Sequence, residues 1–285
     1  MIVWLASYPK SGNTWVRSFI SALLYSDKGE FENFETLKKI GQFPSRSLFK
    51  NFVSDLQDVN EVYKNWLNVQ NFINLDKKIK FFKTHHVNCT IDDCKFTDDE
   101  NTIGAIHIVR DPRNVILSMK NHYSHVDYDE TREFMFKDKN WIGVKKSSSE
   151  LSAPDHKIPT LISSWNIHYK TWKNKTKNYL LVKYEDLQKN PLIEFTKIAK
   201  YVENLTQMQF DNKKIEKAIE ATSFEKLENL EKKGLFSENA ETQDGQKVKF
   251  FYKGAKNDWK ESLSDEIIEK VNLKFKSEME ELGYL

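Results

Sequence analysis

Between an apolar run at the amino end and the first helical pattern lies Tyr8-Pro-Lys-Ser-Gly-Asn-Thr-Trp15. A loop that joins a strand to a helix presents backbone N–H groups and the positive end of the helix dipole to an anion. Lys10 adds a full charge, Ser11 and Thr14 offer hydroxyls, and Gly12 lets the backbone come close to a phosphate. The order is not that of a Walker A loop, because Lys10 precedes the glycine and no glycine lies upstream. On these residues alone, an ordinary strand–turn–helix with a surface lysine fits equally well.

A second candidate is Val109-Arg110-Asp111-Pro112-Arg113-Asn114, which follows another apolar run, with Ser118 eight residues after Arg110. Arg110 can fork onto a phosphate with two parallel hydrogen bonds, which lysine cannot do. Ser118, two turns into the following helix, adds a hydroxyl. Asp111 is a natural helix cap with Pro112 at the first helical position. Arg113 reads as the partner of a surface carboxylate.

The third candidate is Lys83-Thr84-His85-His86. An imidazole titrates near neutrality and can take a proton from a hydroxyl. On an extended segment neighbours face opposite sides, so only one of the two histidines reaches a given site. Cys89 and Cys94 lie close by, but the spacing matches no common structural zinc pattern, and no metal is expected. His107, His122, His125, His156 and His168 read as structural or surface residues; His122 and His125 follow the arginine helix and could line a pocket.

Strands and helices must position these groups. Apolar runs predict strands over Ile2–Ser7, Ile79–Lys83, Gly104–Val109 and Tyr179–Val182. Helical spacing follows the first loop, over Thr14–Ser26, and recurs after Pro112 and over about 159–173, 191–204, 212–232 and 264–282. Strands alternating with helices predict an α/β fold: a single domain, residues 1–285, with a central, mostly parallel sheet flanked by helices. Lys137–Pro159 and Gly234–Lys249 read as loops, and long loops in a compact domain are often lids or binding loops. In open sheets of this kind ligands bind at the carboxyl ends of the strands, where the first two motifs fall.

Composition narrows the partners. The formal net charge is +2, which carries no polycationic signature for nucleic acid. Only five of 44 basic residues are arginine, and glycines number nine, so positions that use either residue invite a specific reason. Two cysteines make no disulfide framework and fit a reducing, cytoplasmic setting. No apolar run is long enough to span a membrane, and no signal peptide is evident.

Taken together, the motifs resemble the sulfotransferase family, whose members use 3′-phosphoadenosine 5′-phosphosulfate (PAPS) as sulfuryl donor and release 3′,5′-diphosphoadenosine (PAP). The 5′-phosphosulfate loop of that family resembles residues 8–15, with Lys10, Ser11, Gly12, Asn13, Thr14 and Trp15. Its 3′-phosphate element matches Arg110 and Ser118. Its Lys-Thr-His segment resembles Lys83-Thr84-His85, and its Tyr-Glu-Asp segment, whose tyrosine contacts adenine, resembles Tyr184-Glu185-Asp186. Thr222-Ser223-Phe224 matches an element bordering the adenosine, and Tyr252-Lys253-Gly254 with Trp259-Lys260 resembles the family's carboxyl-terminal signature. The matches run in family order over residues 8–260.

The resemblance implies a P-loop-like nucleotide site and an in-line sulfuryl transfer to a hydroxyl of a small-molecule acceptor. It makes His85 the general base, Lys10 the stabiliser of the leaving-group oxygen, and Lys83 the neutraliser of the sulfuryl oxygens. Trp15 would stack on or border the adenine. Departures from the family pattern stand out: Tyr252 replaces a family arginine at the 3′-phosphate, Asn257 replaces a glycine, and Asn13 stands where the family often has Thr, with a side chain that can still hydrogen-bond a phosphate. Of a dimerisation signature only Lys260 and Glu269 survive, which leaves monomer and homodimer both open; Ser264-Asp265-Glu266 is more simply a helix start. Two other readings remain open at this level: a nucleotide-dependent kinase with an atypical loop, and a non-catalytic nucleotide-binding remnant.

Overall fold

The computed structural model describes residues 1–144, 158–236, 249–251, 254 and 257–285. Its centre is a five-stranded sheet of β1 (Ile2–Ser7), β2 (Gly41–Gln42), β3 (Lys80–Thr84), β4 (Thr102–Val109) and β5 (Tyr179–Lys183). The strand order is β2-β3-β1-β4-β5, and every neighbouring pair is parallel. Two short antiparallel pairs lie outside it, Thr90–Ile91 with Cys94–Lys95 and Trp141–Ile142 with Thr160–Leu161.

Parallel strands need helical crossovers, which bury both faces of the sheet. β1 shows the result, with all six residues buried. Val3 and Leu5 pack toward α1 (Asn13–Tyr25), against Val16, Phe19 and Ile20. Ile2, Trp4 and Ala6 face an aromatic cluster of Phe43, Phe49, Trp66, Phe96 and Trp172. Trp4 is fully buried and its indole N–H still finds a partner, the Thr102 hydroxyl at 2.8 Å.

The four predicted strands are present with ends displaced by two residues or fewer. The predicted helix after Asp111 is α2 (Pro112–Tyr123), and the Asp111 carboxylate accepts from the Arg113 backbone N–H as a cap should. The pattern at 159–173 becomes α3 (Trp165–Lys175), its first residues being drawn into the Thr160–Leu161 strand. α4 (Tyr184–Lys189) and α5 (Pro191–Thr206) follow β5.

The single helix expected over 212–232 is two, α6 (Asn212–Ala221) and α7 (Phe224–Lys232). Thr222 ends the first by turning its hydroxyl back on the Ala218 carbonyl at 2.7 Å, and Ser223 leaves helical geometry. The helix expected over 264–282 is likewise broken, at fully buried Phe275, into α8 (Asp265–Lys274) and α9 (Lys276–Leu282). Ser264 does cap α8, accepting from the Ile267 N–H. Among the described residues no helix is long and apolar enough to cross a membrane.

Candidate active site at the carboxyl edge of the sheet

Strand register brings the motifs together. Ala6 of β1 lies beside Thr84 of β3 and His107 of β4, and Ser7 beside Ile108; Val109 lies beside Lys183 of β5. The four stretches that follow these positions therefore leave the sheet at one edge: Tyr8–Gly12, His85, Arg110 and Tyr184. Alternation sets the face. Leu5, Phe81, Ile108 and Val182 all pack in the core on the α1 side. Lys83, Arg110 and Tyr184 each stand two residues further along a strand path and share that parity.

The first loop is held in an unusual backbone shape. Lys10 adopts φ 65° and Gly12 φ 104°, both left-handed. A Cβ on Gly12 would stand 2.5 Å from the Tyr184 ring, so the glycine makes room for that ring as well as for an anion. The Asn13 side chain has a different task from the one the sequence suggested. Its amide nitrogen donates to the Leu5 carbonyl at 2.9 Å and to the Ser7 hydroxyl at 3.1 Å, tying the helix start to β1. Thr14 is buried, and its carbonyl accepts from Ser18. Trp15 is half-buried, edge-on to Tyr184 at 5.8 Å and Phe195 at 5.4 Å.

Arg110 joins three distant parts of the chain. Its Nη1 donates to the Lys10 carbonyl at 3.2 Å and to the Ser118 hydroxyl at 3.1 Å, and its guanidinium lies 4.1 Å from the Tyr184 ring centroid. Ser118 Oγ also accepts from Asn257 Nδ2 at 3.3 Å. With both bonds accepted, the Ser118 O–H is left to act as a donor. Asn257 further bonds the Asn114 carbonyl at 3.0 Å, so this departure from the family glycine pins the carboxyl-terminal segment to α2. Arg113 is not paired at the surface as expected. Its carboxylate is Asp111, and both side chains are more than nine-tenths buried, with Nη2 to Oδ2 2.7 Å.

Lys10 lies with its ammonium 3.6 Å from the centroid of the Phe250 ring. Burial first, and then the nearby Arg110 charge, push its pKa down to about 7, against a smaller opposing pull from Glu231. Glu231 also accepts from the backbone N–H groups of Phe250 and Phe251 at 2.6 and 2.9 Å, fixing the segment that carries the ring. Phe224 is half-buried against Gly254, where a Cβ would stand 2.7 Å from its ring and φ is 53°. Thr222 is fully buried with its hydroxyl already used within α6. Tyr252 and Lys253 lie outside the described residues, as do parts of both predicted loops, residues 145–157 and 237–248.

The two adjacent histidines separate cleanly. His85 Nδ1 lies 2.8 Å from the Ser7 carbonyl, which can only accept. Nδ1 must therefore carry the proton, and Nε2 is the basic nitrogen of the ring. His86 is fully buried, stacked on Phe96 at 4.4 Å, with Nδ1 bonded to the Val87 carbonyl at 2.7 Å. Burial pushes its pKa down to about 3, so it is a neutral core residue. His168 and His107 are buried beneath, with rings 5.4 Å apart. His122 neighbours Phe250, whereas His125 turns to the Thr131 hydroxyl at 3.0 Å. Among the described residues no three His, Cys, Asp or Glu side chains are placed to hold a metal ion.

Buried polar atoms without a hydrogen-bond partner occur in several parts of the described structure, and some belong to the elements of this site. They include Ser11 Oγ, Trp15 Nε1 and Arg110 Nε, which belong to the first loop, the helix behind it and the arginine facing it. Donors of this kind are rarely left unmatched in native proteins. Together with Lys10 and the Ser118 hydroxyl they suit an anionic nucleotide. Sequence reasoning did not single out Glu231 or Phe250, and it gave Asn257 no task.

The sequence model of the family described as "Sulfotransferase domain" matches residues 2–283, and the chain belongs to that family. It is similar to the flavonol 3-sulfotransferase of Flaveria bidentis, at 26% identity over 95% of this chain and 79% of the relative. It is similar to sulfotransferase 1B1 of Canis lupus familiaris at 24% identity, covering 96% of this chain and 82% of that one. In structure it resembles mouse sulfotransferase SULT7A1 complexed with PAP, with TM-score 0.57 and 19% identity over 98% of this chain and 83% of that one. Retinol dehydratase in complex with androsterone and inactive cofactor PAP gives TM-score 0.59 and 15% identity over 98% and 80%. At these identities the structures establish the fold, an α/β sheet flanked by helices with a P-loop-like first turn.

Proposed function

We propose that this sulfotransferase-family chain transfers the sulfuryl group of PAPS to a hydroxyl of a small-molecule acceptor, releasing PAP. The observation that carries the reading is the convergence at Arg110, whose guanidinium bonds the Lys10 carbonyl and the Ser118 hydroxyl while covering the Tyr184 ring. Three sequence-distant motifs thereby form one cradle, with unmatched buried donors in its wall. Solved relatives named above hold PAP, which supports the same ligand here.

In this reading Arg110, Ser118 and Lys253 hold the 3′-phosphate. Lys10, Ser11, Gly12, Asn13 and Thr14 surround the 5′-phosphosulfate, with the Asn13 contribution coming from its backbone N–H. Trp15, Tyr184, Thr222 and Phe224 border the adenosine, and Tyr252 and Gly254 complete the carboxyl-terminal side. Bound there, the donor supplies a sulfuryl group already activated by its mixed anhydride link to the 5′-phosphate. His85 Nε2 takes the proton of the acceptor hydroxyl as its oxygen bonds to sulfur and the sulfur–oxygen bond to the phosphate breaks. Lys10 stabilises charge on that leaving oxygen, and Lys83 neutralises the sulfuryl oxygens. The whole of residues 1–285 works as one domain, monomeric or as a homodimer, in the cytoplasm, with neither nucleic acid nor membrane as partner.

Transfer from labelled PAPS to a panel of hydroxyl acceptors, beside calorimetry with PAP, 5′-AMP and ATP, tests this reading. PAP should bind far more tightly than 5′-AMP or ATP, and a labelled sulfate ester should form. Equal affinity for ATP and PAP would point to a kinase, and tight PAP binding without transfer to any acceptor would point to a non-catalytic remnant.

A further inference from the structure

The edge of the nucleotide cradle is locked by a closed ring of four residues that no motif contains as a set. The Asp111 backbone N–H donates to Glu185 Oε1 at 2.9 Å. Glu185 Oε2 accepts from the Tyr284 hydroxyl at 2.9 Å. The Tyr284 carbonyl accepts from Arg113 Nη2 at 2.7 Å. Arg113 returns to Asp111 through Nη2 to Oδ2 at 2.7 Å and Nε to Oδ1 at 3.0 Å, which closes the circuit. Lys183 Nζ adds a bond to the Leu282 carbonyl at 2.7 Å, so the last residue of α9 is fastened to the end of β5 as well.

Two members of the ring sit beside proposed nucleotide contacts. Asp111 follows Arg110, and Glu185 follows Tyr184. The bond between Asp111 and Glu185 therefore ties the exit of β4 to the exit of β5, and with it the 4.1 Å spacing between the Arg110 guanidinium and the Tyr184 ring. Arg113 has four of its five N–H donors engaged within the protein, with Nη1 donating to Asn272, and its guanidinium covers Trp259 at 3.9 Å. Its arginine fork is spent on structure. Asp111 and Arg113 are each about 5% exposed, so the charge pair depends on its neighbours to complete its hydrogen bonds.

We propose that Glu185 and Tyr284 are positioning residues for the donor: the ring they close with Asp111 and Arg113 sets the Arg110 guanidinium over Tyr184 and so sets affinity for the nucleotide's 3′-phosphate. The inference rests on the reading above that Arg110 holds that phosphate. Neither residue touches the donor; they act through the two strand exits.

The readout is the ratio of PAP to 5′-AMP affinity by calorimetry, because the two ligands differ at the 3′-phosphate. Tyr284→Phe should lower PAP affinity roughly 3- to 10-fold, the worth of one part-buried hydrogen bond, and change 5′-AMP affinity by less than about 2-fold. The KM for PAPS should rise in step while the KM for acceptor stays in place. Glu185→Ala should lose more of the preference, and Glu185→Gln should regain most of it, because the amide oxygen still accepts from Asp111. That pair gives the same reading if Tyr284→Phe does not fold. A fall in thermal stability with the PAP to 5′-AMP ratio intact in every variant overturns the inference and leaves the ring purely structural. Arg110→Ala separates the levels: if it too leaves the ratio intact, the 3′-phosphate reading itself is wrong, and if it abolishes the ratio while the ring variants do not, only the ring inference fails.

Discussion

His85 donates its Nδ1 proton to the main-chain carbonyl of Ser7 across 2.8 Å, so β1 dictates the tautomer of a histidine that directly follows β3. In the proposed reading this leaves Nε2 as the nitrogen that takes the acceptor proton. His85→Ala should therefore cut kcat by about 10²–10⁴-fold, the range for a positioned general base, with PAP affinity changed less than about 2-fold. His86→Ala should do the reverse. It empties a fully buried site packed on Phe96 and should cost about 2–4 kcal/mol of stability, read by denaturant unfolding. Loss of kcat in the His86 variant at intact stability, with His85→Ala active, would reverse the assignment.

Lys10 gives the site a pH signature. Free, its pKa is pushed down to about 7. A bound phosphate must raise it, because an anion favours the charged form. Binding then takes up a proton above pH ~7, so PAP affinity should fall as pH rises from there toward the bound-state pKa. Calorimetry at pH ~8, above the second phosphate ionisation near 6, in two buffers of different ionisation enthalpy measures that uptake. Lys10→Arg, which stays charged, should abolish it; an unchanged uptake in that variant would assign the proton elsewhere.

Gly12→Ala tests the backbone of the loop. The new Cβ meets a ring carbon of Tyr184 at 2.5 Å and forces a left-handed residue at φ 104°. A stability loss of about 1–3 kcal/mol, with PAP affinity down at least about 10-fold, is the expected result. A variant with wild-type unfolding midpoint would show that Tyr184 yields freely and that the glycine is not needed for its placement.

Asn257→Gly restores the residue that the family pattern carries. Here it removes the bonds to the Asn114 carbonyl and the Ser118 hydroxyl. Stability should drop by about 1–2 kcal/mol, and PAP affinity by less than in Ser118→Ala, which removes the hydroxyl itself. Equal affinity losses in the two variants would mean that Asn257 matters more than a brace for α2.

Much of the fold is legible in the sequence, for a physical reason. Strands buried on both faces read as continuous apolar runs, and Ile2–Ser7 is the clearest of them. The short strand Gly41–Gln42 leaves no such run, and it exists only because it pairs with Phe82 and Lys83. Thr222 and Phe275 broke predicted helices because helical spacing continues through a residue whose backbone does not. The contacts that shape the cradle were hidden for another reason. Glu231 finds the Phe250 N–H nineteen residues on, and Asn257 finds Ser118 at a separation of 139. Partners that far apart are set by tertiary packing, and side-chain type alone does not announce them. Asn13 shows the converse: its side chain sits where a phosphate contact was expected, but the amide is spent on Leu5 and Ser7.

The parallel register that gathers the proposed site residues at one end of the sheet puts the turns that enter β3 and β4 at the other. There the Met1 amine merely donates to the Lys78 carbonyl, and Lys77, Lys78, Asp99 and Glu100 on the turns entering β3 and β4 are exposed. Those turns set how a strand begins, whereas the cradle depends on where it ends. Foreign peptides, reporter loops or immobilisation tags spliced into them should therefore be carried at the far end of the sheet from the cradle, a ready-made handle for building sensors on this scaffold.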